Sequence, residues 1–189
     1  MSKFYTISKE IKGKNYTCQF NGISAALNAV DSSYIEGTDT TSLKRLAKYL
    51  FDHVVVEPKI KIDDFGADKI GTEETRTING IDYTARFNGL SFALEAIDSS
   101  YIEGTNNTSL NKLTKFLFEK VIIKPQKLTA DDFDNMEDFN EVVSFAREVM
   151  QGGEAMEEFN EVIAFAREVM QGNFRDEKEP KSTKAASKG

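Results

Sequence analysis

The sequence has little of the chemistry on which most enzymes and metal sites depend. Its 189 residues include one cysteine, one histidine and no tryptophan. A single cysteine excludes an intramolecular disulfide and favours a reducing compartment. The histidine, His53, aligns with Lys120 in the repeat described below, and the acidic run 131–138 lacks the spacing of a calcium-binding loop. We therefore expect no catalytic residue, no metal and no cofactor.

Basic residues and long apolar runs are also scarce. Lysine and arginine number 24 against 31 aspartates and glutamates, and the formal net charge is −7. This acidic balance disfavours nucleic acid as the main partner, because phosphate binding needs a basic face. No run approaches the ~18 apolar residues of a membrane span, and the N-terminus lacks the apolar segment of a secretion signal. The sequence predicts a cytosolic protein that binds neither nucleic acid nor membrane.

One stretch of the sequence occurs twice. Residues 20–58 and 87–125 align without a gap, and 24 of the 39 aligned positions are identical. In the second copy Asn79-Gly80 separates two strand-like runs, which is the preferred turn of a β-hairpin. Two runs with apolar residues at helical spacing follow in each copy, and then a β-branched run that could add a third strand. The second helical run is expected to be capped by Thr40 or Thr41 in the first copy and by Asn107 or Thr108 in the second. The pattern predicts an α+β fold of two tandem β-hairpin–helix–helix–short strand modules, helix-rich overall.

A third helix follows the second copy and is itself repeated. Residues 139–152 and 159–172 are identical at 12 of 14 positions. The first copy has no such helix directly after it, and covering an apolar helix face is favoured by ~25 cal/mol per Å². Two packings are open for the repeated helix: it reaches back to complete the first copy, or it forms an αα-hairpin on the second.

These patterns divide the chain into five segments. The predicted boundaries are 1–66 for the first module, 67–74 for a polar linker, 75–152 for the second module with its third helix, 153–172 for the repeated third helix, and 173–189 for a disordered tail. The alternative role for the tail is a flexible linker or recruitment segment.

Candidate binding residues lie at a polar corner present in both copies and on the third helices. The corner Asp-Ser-Ser-Tyr-Ile-Glu combines aromatic and acidic side chains, a mixture that suits a protein interface. In the alternative interpretation, its tyrosine and isoleucine pack into the core below. The candidate protein-binding residues are Tyr34, Ile35, Glu36, Tyr101, Ile102, Glu103, Phe139, Val143, Phe159 and Ile163.

Three segments carry a resemblance to a known family. They are Tyr83-Thr84-Ala85-Arg86-Phe87-Asn88-Gly89, the Val54–Lys59 run with its following Asp-Asp-Phe, and the closing helix Glu158–Arg175. In this combination the chain resembles the tail assembly chaperones of long-tailed, siphovirus-type phages of Gram-positive bacteria. The likeness covers nearly all of the second copy with the tail, and the first copy as far as Phe65. The chain departs from the family in its duplication, since the usual member has one unit.

The resemblance implies a protein of the host bacterial cytoplasm that is absent from the mature virion. Such proteins coat the tape measure protein and recruit tail tube protein, and this chain is then a possible homo-oligomer. Exposed apolar helix faces and an acidic surface would suit that task. The alternative function is a phage-encoded adaptor or inhibitor that binds a host protein bivalently through its two modules.

Overall fold

The computed structural model describes residues 4–174 and contains two similar modules. The first comprises β1 (Tyr5–Ile11), β2 (Lys14–Phe20), α1 (Ile23–Asp31), α2 (Leu43–His53) and β3 (Val55–Glu57). The second comprises β4 (Glu73–Ile78), β5 (Ile81–Arg86), α3 (Leu90–Ser99), α4 (Leu110–Lys120) and β6 (Ile122–Lys124). Two long helices follow, α5 (Met136–Gln151) and α6 (Glu154–Met170). The predicted α+β class is confirmed.

Each module is built on a three-stranded antiparallel sheet. The strand orders are β1-β2-β3 and β4-β5-β6, so the short strand after the helices adds a third strand to the hairpin, as predicted. It pairs with the second hairpin strand. Asn79 and Gly80 have φ of 47° and 79°, the positive values that a type I′ hairpin turn requires. Cys18 and Ala85 occupy the same place in the two sheets, opposite Val55 and Ile122.

The second helix of each module begins slightly later than the sequence pattern favoured. Thr40 or Thr41 was the expected N-cap of α2, but Ser42 holds that position, and its Oγ accepts a hydrogen bond from the Arg45 N–H at 3.1 Å. In α4 the N-cap is Ser109, which accepts from the Lys112 N–H at 3.2 Å. Several neighbouring hydroxyl residues can cap a helix equally well, and the packed backbone selects one.

The two long helices complete different modules. α5 packs on β4, β5, α3 and α4, whereas α6 packs on β1, β2, α1 and α2. Of the two packings open to the repeated helix, the chain therefore has the one in which it reaches back. Gly152 allows the reversal, because its φ is 65° and a Cβ there would lie 2.6 Å from the Phe87 ring.

Matching aromatic clusters mark the two helices as equivalent. In the first module Phe159 of α6 meets Phe51 and Phe65, with centroid distances of 6.0 and 5.6 Å. In the second, Phe139 of α5 meets Phe118 and Phe133 at 6.1 and 5.6 Å. All four pairs are edge-to-face, an arrangement that aromatic rings prefer.

The segments between and after the modules are partly structured. Residues 67–74, predicted as a linker, include a 3-10 turn at Ala67–Lys69, and the Gly71 N–H donates to the Phe87 carbonyl at 2.8 Å. β4 begins at Glu73, two residues before the predicted module start. At the far end Phe174 packs against Phe165 at 5.9 Å. The rest of the predicted tail, residues 175–189, lies outside the described residues.

Candidate protein-binding surface

The predicted polar corner is the loop between the two helices of each module. Tyr34 forms a β-bridge with Thr41, and the Ile35 N–H donates to the Thr40 carbonyl at 2.8 Å. The Arg45 guanidinium closes the corner by donating to the Tyr34 carbonyl at 2.7 Å. In the second module Tyr101 bridges to Thr108 in the same way. The repeated sequence therefore specifies a fixed loop conformation.

The corner side chains are divided between core and solvent. Tyr34 is 46% exposed and Ile102 is 42% exposed, whereas Ile35 and Tyr101 are half-buried. Glu36 and Glu103 are exposed. Each corner thus presents one large apolar side chain beside one carboxylate, but the apolar residue is the tyrosine in the first module and the isoleucine in the second.

The two corners lie side by side and form one surface, the corner ridge (residues 34–41 and 101–108). The Gly104 N–H donates to the Gly37 carbonyl at 2.7 Å, and the Thr40 hydroxyl donates to the Asn106 side-chain oxygen at 2.8 Å. The Glu103 side chain packs over Gly37, where a Cβ would lie 3.3 Å from it. Sequence reasoning identified each corner but had no signal that they would meet.

The third-helix candidates do not lie on a surface. Phe159 is completely buried, and Phe139, Val143 and Ile163 are at most 9% exposed. Their side chains contact the sheets and helices of their own modules, so a partner could reach them only if α5 or α6 left its module. The apolar face that the sequence offered as a binding face is used for folding.

His53 and Cys18 have structural roles in the first module. The His53 carbonyl accepts from the Asn21 side chain at 2.7 Å, and the Lys120 carbonyl accepts from Asn88 at 3.1 Å in the second module. Both hydrogen bonds are accepted by the backbone carbonyl and not by the side chain. A lysine can therefore replace the histidine at this position. Burial raises the pKa of the Cys18 thiol to about 12, so the thiol stays protonated and unreactive at neutral pH.

A carboxylate lies at the contact between the modules. Asp98 of α3 accepts a hydrogen bond from the Ser42 hydroxyl at the start of α2. Burial raises the pKa of Asp98, and the Ser42 hydrogen bond and the nearby Lys44 and Arg45 charges oppose that rise. The Asp98 carboxylate therefore takes part in the contact between the two modules.

A cleft of about 380 Å³ runs beside this contact, and charges of both signs line it. Its lining includes the basic residues Lys44, Lys48 and Lys61, the acidic residues Asp52 and Asp63, and the apolar residues Phe51 and Ile60. Small-molecule sites usually combine an enclosed apolar pocket with a few convergent polar groups. This cleft is open and is lined by charges of both signs, so it does not resemble a small-molecule site.

Comparison of the chain with protein-family models, with curated proteins and with solved structures found no match in any of the three. Within residues 4–174 no cluster of three or more His, Cys, Asp or Glu side chains could hold a metal ion. In the same range, no helix is both long and apolar enough to cross a membrane.

One exposed apolar surface was not predicted from the sequence, the outer face of α1. Ile23 is 58% exposed, Leu27 is 60% exposed and Val30 is 38% exposed. Their counterparts Leu90 and Leu94 in α3 are buried. The apolar pattern is the same in both helices, so the sequence pattern could not indicate which one would be uncovered.

Proposed function

We propose that this protein is a non-enzymatic phage tail assembly chaperone that binds the tape measure protein through the corner ridge and helps to recruit tail tube protein. It would act in the cytoplasm of the infected host and be absent from the mature virion. The resemblance of three segments to that family supports the proposal. The observation that carries it is the junction of two matching corners into one ridge.

The ridge has the composition of a surface that binds an apolar helix. Tyr34 and Ile102 offer exposed apolar area, and Glu36 and Glu103 place carboxylates beside them. Interface cores are enriched in aromatic residues and their rims are polar. A long helical partner needs a repeated surface, and two modules side by side supply the first repeat.

The acidic charge suits the same task. With a net charge of −7, the chain adds negative charge to any partner it coats. A net charge far from zero opposes association of the coated complexes with one another. The chaperone would keep an apolar partner in solution both by covering it and by repulsion.

Co-expression with the tape measure protein encoded by the same phage tests this function. We expect the tape measure protein to become soluble with the wild-type chain and to remain insoluble with Ile102→Asp. Ile81→Asp is the matched control, because Ile81 is 52% exposed on β5, outside the ridge.

Two results would contradict the proposal. One is a tape measure protein that stays insoluble with the wild-type chain. The other is an equal loss of solubility with Ile102→Asp and with Ile81→Asp, since the ridge would then have no special part. Capture of one stoichiometric host protein, without any effect on the tape measure protein, would favour the adaptor or inhibitor hypothesis.

A further inference from the structure

The two modules contact each other through unlike surfaces. α3 of the second module packs against α2 of the first and against the first module's 3-10 turn at Ile62–Asp64. We name this contact the internal junction. α3 is the counterpart of α1, and α2 is the counterpart of α4, so the modules are joined head to tail. A head-to-tail contact joins two different faces, here the α2 face of the first module and the α3 face of the second. The equivalent α1 face of the first module and α4 face of the second are not used, and we call each of them a free half.

The free half on the first module is apolar. Ile23 and Leu27 of α1 are 58% and 60% exposed, whereas Leu90 and Leu94, in the same positions of α3, are 0% and 1% exposed. We attribute the difference to the internal junction: α1 and α3 each pack against the second helix of their own module, but α3 packs against the second helix of the other module as well. The first module thus presents the face that its twin buries.

The free half on the second module shows the reciprocal difference. Leu110 at the start of α4 is 53% exposed, whereas its counterpart Leu43 in α2 is half-buried against the core. Ser42 is 1% exposed at the internal junction, and its counterpart Ser109 is less covered. The α2 surface that contacts α3 inside the chain therefore has an exposed counterpart on α4 of the second module.

The polar contacts of the internal junction have counterparts at the two free ends. The Asp63 carboxylate accepts from the Ser91 N–H at the start of α3 at 2.8 Å. The corresponding residues are Asp131, on the 3-10 turn Ala130–Asp132, and Ser24 on α1. α1 has no side-chain cap within residues 4–174, so its N-terminal N–H groups can donate to such a carboxylate.

Two further contacts repeat in the same way. The Ser42–Asp98 hydrogen bond has the counterpart residues Ser109 and Asp31. The backbone bond from the Gly104 N–H to the Gly37 carbonyl would repeat between glycines of the same corner type. The residues of these three polar contacts therefore recur at the two free halves.

We propose that copies of this chain associate head to tail, with α1 of one copy seated on α4 of the next in the geometry of the internal junction. The occupant of the α1 face is a second copy of the chain. The inference rests on the repeat and its burial pattern, and it holds whether or not the proposed function is correct. Such a contact generates a helical array, or a ring where the rotation between modules closes.

The charges at the two junctions differ in a consistent way. Inside the chain Lys44 pairs with Glu95 at 2.9 Å. The corresponding residues at the free ends are Asn111 and Asn28, so both charges are absent together and neither is left without its partner. No ion pair of this kind is therefore expected to cross the contact between copies, so added salt should not weaken the association by screening such a pair.

Sedimentation velocity over a range of concentrations tests the proposal on the full chain. The wild-type mass should rise above the 21.2 kDa of one chain as concentration increases. Leu27→Asp and Leu110→Asp each damage one half of the contact, and each alone should remain a monomer. An equimolar mixture of the two should form dimers and stop there, because each dimer retains only damaged outer faces. Ile81→Asp should assemble like the wild type.

Every alternative gives a different result. A wild-type chain that stays monomeric to its solubility limit would overturn the proposal. If Leu110→Asp still associated while Leu27→Asp did not, two α1 faces would be meeting each other, or another partner would be their occupant. Both substituted side chains are more than half exposed, and unchanged thermal unfolding of the two variants would show that folding is intact.

Discussion

Phe159 packs edge-on against Phe51, with ring centroids 6.0 Å apart, although one side chain lies on the last helix and the other on the second. The equivalent pair in the second module, Phe139 and Phe118, has the same geometry at 6.1 Å. The chain therefore folds with its last element bound to its first module. The N-terminal module cannot be complete until α6 has been made.

The two aromatic contacts predict local effects of substitution in each module. Phe159→Ala should destabilise the fold by about 3–5 kcal/mol, because a buried ring is lost and a cavity remains. Hydrogen exchange should then accelerate in β1, β2 and α2. Phe139→Ala is the matched variant and should accelerate exchange in β4, β5 and α4. A loss of protection in the second module caused by Phe159→Ala would contradict this assignment.

Gly152 should tolerate no side chain. A Cβ at this position would lie 2.6 Å from the Phe87 ring, and φ is 65°. Gly152→Ala therefore adds a steric clash to the backbone strain, and we expect more than about 1 kcal/mol of destabilisation in urea unfolding. Gly13→Ala is the control, since its φ is 77° and nothing lies within 4 Å of its Cβ position. Equal losses in the two variants would show that the clash is relieved.

Cys18 predicts a change of stability at alkaline pH. Burial raises the pKa of its thiol from 9.0 to about 12 in the folded chain. Above pH 9 the unfolded chain releases this proton and the folded chain keeps it, so the free energy of unfolding falls by about 1.4 kcal/mol per pH unit on this account. Cys18→Ala should remove that part of the decline.

Alanine suits the site because Ala85 occupies the same position in the second module. Urea unfolding of wild type and variant, at about pH 8 and about pH 10.5, measures the difference. Tyr16 contributes separately, since burial and its hydrogen bond to Glu158 raise the pKa of the phenol. A decline that is identical in both proteins would show that the Cys18 thiolate is tolerated in the fold.

Tyr16 and Glu158 should be energetically coupled. The buried phenol donates to the Glu158 carboxylate at 2.8 Å, and the Lys14 ammonium donates to the same oxygen at 2.9 Å. A double-mutant cycle with Tyr16→Phe and Glu158→Gln should give a coupling free energy of about 1–3 kcal/mol, as expected for a hydrogen bond to a charged group. A coupling near zero would mean that solvent replaces the carboxylate without cost.

Local patterns in the sequence were enough to predict the order of strands and helices in each module. Asn79-Gly80 indicated a hairpin because few other residues adopt two consecutive positive φ angles. Apolar spacing indicated both helices, and the β-branched run before each proline indicated the third strand. The N-cap of α2 could not be assigned from the sequence, because Thr40, Thr41 and Ser42 carry equivalent hydroxyls. Only the packed backbone distinguishes them.

The sequence by itself determined that there are two modules and two third helices, since repetition, turn residues and periodicity are local properties. It could not determine which module each third helix completes, because α5 and α6 have almost the same apolar face. It also could not show that Leu94 is buried and Leu27 exposed, since both belong to the same helical pattern. Only the tertiary structure decided these points: burial depends on which neighbour lies opposite a side chain, and that neighbour is remote in the chain.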